Sequence, residues 1–295
     1  MTARRPIRRR IAVAALFAFA VELLGCANLD AVAKFAASAQ QAQAGYPALV
    51  ADLPASCVRR VDFKMLAGGQ TDQSSFGAIE QKECGEYAQF APGLTAAGNT
   101  LFDYLSALGA LAAGKPPGYR ATLSGLPGKL GASNAFGPAQ TQAFVALAQF
   151  VLDSATRTYR QAALGRAIEA RNNDVQAVTA ALNSVVVSDY ENLLTLEEQE
   201  MRNYYLSAIK SGEARQPLTV PLIELRWSHA RAAIARNRKG AAAFGAMLSE
   251  IAKTHGELAA NAANLDSRTM LESVLQSAGE AASMAGEFAA AFPQR

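Results

Sequence analysis

Apolar positions recur three and four residues apart over long stretches of this chain, while the strict alternation of a half-buried strand is almost absent. That spacing predicts helices. From Leu29 to about Ala44 the pattern is helical but polar, with Gln40, Gln41 and Gln43, and Gly45 and Pro47 are expected to end it. A short helix is predicted around Ser56 to Leu66, then a loop at 67–72. Ser75 is placed to cap the next helix, whose stripe is Ile79, Glu83, Tyr87, Phe90, Leu94, Ala97, Leu101, Tyr104, Leu108 and Leu111. Pro92 lies inside that stripe and is expected to kink or divide it. Residues 114–137, rich in Gly and Pro, read as an irregular tip.

From Pro138 to Lys210 there is no further proline, with a break expected at Asn172-Asn173-Asp174 and a soft spot at Val185-Val186-Val187, where β-branched residues lose side-chain freedom. After Pro217 and Pro221 the spacing alternates fours and threes without a miss through Ile223, Trp227, Ala230, Ile234, Asn237, Ala241, Phe244, Leu248, Ile251, His255, Leu258, Ala262 and Leu265. That is a heptad seam with two polar members. Asp266 or Ser267 then caps a last helix with the stripe Leu271, Val274, Ala278, Ala281, Ala285, Phe288 and Phe292. The predicted fold is all-α: an elongated antiparallel helical bundle of four to five long helices with coiled-coil-like packing.

The first 25 residues follow a different plan. MTARRPIRRR carries five arginines and no acid, Ile11 to Val21 form an apolar core, and Leu23-Leu24-Gly25 leads into Cys26. A basic start, a short apolar core and a small residue at the cut are the three parts of an export signal. About 11 uninterrupted apolar residues are too few to span a bilayer, which needs ~20. Leu23-Leu24-Gly25-Cys26 resembles the lipobox of bacterial lipoproteins. The resemblance covers the leader alone, and implies cleavage of residues 1–25, a diacylglycerol on the Cys26 thiol, and a mature domain of residues 26–295. Ala27 after the cysteine, in place of aspartate, implies the outer membrane, facing the periplasm.

Removing the leader changes the charge. The chain has 28 Lys+Arg and 25 Asp+Glu; without five arginines and Glu22 it has 23 and 24. The basic character belongs to the leader, so no nucleic-acid reading survives. Two cysteines remain, Cys57 and Cys84. In an exported chain they are expected to pair, the alternative being two buried thiols.

Motifs for chemistry are few. The two histidines, His229 and His255, lack the Glu-x-x-His spacing of a di-iron bundle, so no metal or other cofactor is expected. His255 reads as a hydrogen-bonded seam residue. Asn237 is either a buried register-setting amide or a seam position that reaches solvent. Gly109 to Lys115 resembles a phosphate loop by letter, but Pro116 stands where Ser or Thr is needed. Ser207-Ala-Ile-Lys210 lacks its companion motifs. Glu191, Glu197, Glu198 and Glu200 with Tyr204 and Tyr205 form an acidic, tyrosine-bearing face: a solvated surface by composition, a partner surface by its tyrosines.

The functional expectation is a lipid-anchored, non-catalytic envelope protein that binds a protein partner through a helix face, with Glu197, Glu198, Glu200, Tyr204 and Tyr205 as the candidate contacts. Assembly, stability, and inhibitor or immunity roles all fit this class. The alternatives are a carrier of a small apolar or lipid ligand between helices, and a cell-wall enzyme using carboxylates.

Overall fold

A computed structural model describes residues 27–293 apart from 71, 118–124, 133–134, 157–160, 213–217 and 266. The leader and Cys26 lie outside the described residues, as does Asp266. The described residues are helical throughout their ordered elements, with no strand among them. We number the helices α1 Ala27–Gln40, α2 Tyr46–Ala67, α3 Phe76–Ala112, α4 Leu126–Ala132, α5 Pro138–Thr156, α6 Gln161–Asn183, α7 Tyr190–Gly212, α8 Thr219–Ala260 and α9 Arg268–Ala291. The bundle of four to five long helices is thus an approximate description of an all-α fold with more pieces.

The first difference comes at Gly45. The chain passes from α1 through a 3-10 turn, Gln41–Ala44, and Gly45 packs against the Phe288 ring, where a side chain would press on Phe288 Cε1 at 3.0 Å. Pro47 then sits in the first turn of α2, where its missing N–H costs nothing. The expected helix stop is therefore a corner, and the short helix expected at 56–66 begins at Tyr46. Pro92 does not divide α3, which runs 37 residues. The Gly/Pro-rich tip at 114–137, partly outside the described residues, contains the short helix α4.

Asn172-Asn173-Asp174 does not break the chain either. Helix runs from Gln161 to Gly212, interrupted only by a π-turn at Ser184–Asp189, at the predicted valine run. There the Tyr190 N–H donates five residues back to Val185 O. The extra residue in such a turn rotates everything after it. The inward face accordingly passes from Leu182 and Val186 to Tyr190, Leu194 and Glu197. Gly245 of α8 gives the bulge room, since a Cβ there would overlap Val187.

Directions follow from cross-helix pairs. Asp52, Arg59 and Phe63 of α2 meet Tyr190, Glu197 and Tyr205 in that order, so α2 and α7 are parallel. α6 and α7 run against α8, with Asn172 by His255 and Glu191 by Arg238. α8 and α9 form an antiparallel hairpin whose last helix is capped by Ser267, which accepts from the Met270 N–H. Ser75 lies at the start of α3 but its hydroxyl donates to Asp72 O instead of capping. Cys57 and Cys84 are disulfide-bonded, tying α2 to α3. Closing a loop of this length contributes about 3–4 kcal/mol in the chain-entropy model. No helix among the described residues is long and apolar enough to cross a membrane.

Candidate functional site

The most concentrated polar chemistry lies where α2, α7 and α8 meet. Arg59 of α2 is its centre. Its Nε donates to Glu197 Oε1 at 2.6 Å and its Nη2 to Glu197 Oε2 at 3.0 Å, while Nη1 and Nη2 donate to Asp52 at 2.9 and 3.2 Å. Ser56 Oγ donates to Glu197 Oε2 at 2.6 Å, Asn237 Nδ2 to Asp52 Oδ2 at 2.8 Å, and the Tyr190 hydroxyl also donates to Asp52 Oδ2. All four carboxylate oxygens therefore accept hydrogen bonds.

Burial opposes the Arg59 charge, but hydrogen bonds and attraction from Glu197 and Asp52 outweigh it and raise its pKa. Burial, reinforced by the Asp52 charge, raises that of Tyr190. Chemically this arrangement is an ion-pair clamp joining three helices. It lines one end of a half-open cleft of about 660 Å³ whose walls include Ala48, Ala51, Ala55, Arg236 and Phe292.

The predicted face is consequently split. Glu197 is only 3 % exposed and belongs to the clamp, so its expected place on an accessible partner surface is wrong. It occupies the seam position between Leu194 and Met201, four residues before the methionine, and that spacing was the signal for its burial. Glu198 pairs with Arg238 at 3.1 Å, beside Glu191 on the same guanidinium. Glu200 is half-buried, in a long 3.5 Å contact with Asn203. Tyr204 and Tyr205 pack on Phe63, and Tyr205 stacks on Trp227, over whose ring the Arg231 guanidinium lies at 4.7 Å. Asp52, Ser56, Arg59 and Tyr190 were missed; of the clamp residues Glu197 and Asn237 were singled out, and both are buried.

A second polar group sits deeper. His255 accepts from Tyr104 at Nε2 (2.7 Å) and donates from Nδ1 to Asn172 Oδ1 (3.1 Å), the tautomer set by an amide oxygen that can only accept. Burial pushes the His255 pKa down to about 4. This is the hydrogen-bonded seam histidine the sequence suggests. His229 is exposed, and no cluster of three or more metal-ligating side chains occurs among the described residues.

Beyond the clamp, α7 and α8 continue as a hairpin. Neither 202–211 of α7 nor 219–233 of α8 has a fully buried residue, and Leu218, Leu222 and Leu225 are 76, 63 and 53 % exposed. This hairpin is at the far end from Ala27. Ala33 and Ala36 pack at Gly109, one turn past Tyr104, which meets His255. Thirty-six residues of α8 separate Thr219 from His255, roughly 54 Å of helix. Comparison with protein-family models, with curated proteins and with solved structures returned no match.

Proposed function

We propose that this chain is a lipid-anchored, non-catalytic cell-envelope protein that presents a helix face to a protein partner. The anchor rests on the lipobox-like Leu23-Leu24-Gly25-Cys26 and its basic, apolar leader. The partner reading is carried by one observation: three leucines, four and three residues apart, more than half exposed at the start of α8, roughly 45–55 Å of helix from His255. Exposed apolar ridges of this kind mark interaction sites. An anchor at Cys26 would hold the body at the membrane and carry the ridge away from it.

Two measurements test this. The intact mass of membrane-extracted protein, taken without reductant, is expected to begin at acylated Cys26 and to be two hydrogens short of the reduced chain. A photo-crosslinker at Leu222 in intact cells is expected to capture one protein reproducibly. A mass that retains residues 1–25, or crosslinks spread at random over lipids and abundant lipoproteins, would sink the proposal.

A ligand carrier is the second reading, favoured by the alanine-lined cleft beside Asn237. Lipid co-purifying with the wild type but not with Ala51→Phe, which would fill the cleft, is what that reading requires.

A further inference from the structure

The chemistry of the α8 ridge narrows what it binds; this step rests on the partner reading above. Leu218, Leu222, Leu225, His229, Ala232 and Arg236 continue one heptad spacing for five steps, and all six are exposed. At 100° per residue this stripe lies ~140° around α8 from the inward seam, which is half-buried at Ile223, Trp227 and Ala230 and buried at Ile234 and Asn237. α8 therefore carries two heptad seams: one filled by α7, the other open. A stripe one residue wide at a/d spacing is the footprint of another helix, whereas an interfacial membrane helix needs a broad apolar face.

Charge selects among helices. Within ~90° of the stripe the titratable groups of 219–237 are Arg226, His229 and Arg236, with no acid. Glu224 and Arg231 fall beyond that sector. Neither Arg226 nor Arg236 has a carboxylate partner among the described residues. On α7 the exposed Leu206 is bracketed by exposed Arg202 and Lys210. A second copy of this chain would set these arginines against their own equivalents, and the leader, with five arginines, carries the same sign. We infer that the occupant of the open seam is a partner protein's amphipathic helix with an apolar a/d stripe and acidic flanking positions.

The test uses the full chain and three synthetic peptides about four heptads long, sharing one leucine a/d seam and carrying Glu, Gln or Lys at the flanking positions. The Glu peptide is expected to bind at least about tenfold more tightly than the Lys peptide, a difference of about 1.4 kcal/mol. Leu222→Glu is expected to abolish its binding, and Arg226→Glu with Arg236→Glu to reverse the order. These positions are exposed, so the variants should keep the helical circular dichroism of the parent. Equal affinity for all three peptides, or none for the Glu peptide, overturns the inference. So does a dimer by light scattering, or adsorption to anionic phosphatidylglycerol vesicles, that Leu222→Glu removes. Crosslinking from Leu222 in cells is scored separately, so the acidic-helix inference can fail while the partner reading stands.

Discussion

Arg59 grips Glu197 with two parallel N–H···O bonds across the α2–α7 interface, at 2.6 and 3.0 Å, and the carboxylate it holds is almost wholly removed from solvent. Such a fork adds directional fit to charge attraction. Losing one partner leaves the other charge buried and unpaired, which is where the energetic penalty lies. Arg59 is itself 37 % exposed, so water recovers part of the loss. Arg59→Met is expected to cost about 2–3 kcal/mol. Adding Glu197→Leu should recover much of it. Urea denaturation of the single and double variants checks this; additive losses would mean that the two residues act independently.

His255 ties α3, α6 and α8 together as a neutral ring. Its folded pKa, near 4, lies below the ordinary 6.5. Between those values the unfolded chain binds the proton and the folded one does not. The contribution is thus complete above pH 6.5 and is lost as pH falls toward 4. His255→Gln should destabilise the protein at pH 7.5 and do so less at pH 5, the gap narrowing by roughly 2 kcal/mol. An equal penalty at both values would show that the ring titrates normally in the fold.

Helix class and both C-terminal seams were legible because periodicity reports burial directly: Phe244, Leu248, Ile251, His255 and Leu258 are all inside. Corners and interruptions were less so. Gly45 and Pro47 spell a stop by local rules, yet Phe288, distant in sequence, makes a tight turn into α2 there. Asn172 looks like a cap until His255 supplies it with a donor. The clamp escaped notice for a related reason. A charged residue at a seam position reads as surface unless its partner is known, and Arg59 is 138 residues from Glu197. The open leucine stripe was present in the letters but hidden by the longer seam beside it.

Two glycines of one helix make a sharper contrast. A Cβ on Gly98 would overlap the Tyr46 ring, which is buried against Phe102 and Phe244 with its hydroxyl donating to Leu94 O. Gly77 has open space around it. Gly98→Ala should cost roughly 2–3 kcal/mol through forced repacking, while Gly77→Ala should add about 0.5–1 kcal/mol from helix propensity. Thermal unfolding of both variants decides it. Effects of the same sign would mean that the α1–α2 corner yields where the packing says it cannot.

Asp62 of α2, beside Glu80 of α3 below the disulfide, titrates in the opposite sense to His255. Burial, then the hydrogen bond and charge of Glu80, push Asp62 up to about 6, and its Oδ1 is buried without a hydrogen-bond partner. A raised carboxyl pKa means that the folded state holds the proton more firmly. Its contribution is therefore full below the unfolded value near 3.9 and is lost as pH rises through about 6. At pH 7.5 two carboxylates face each other, so Asp62→Asn, which restores a neutral donor, should raise the melting temperature there. At pH 5, where Asp62 is already mostly protonated, the gain should nearly vanish. Solvent reaches this site, so the effect at pH 7.5 is expected to stay below about 1 kcal/mol. Melting curves of the two proteins at both pH values suffice; a gain that is as large at pH 5 would assign it to helix propensity or solvation instead of carboxylate repulsion.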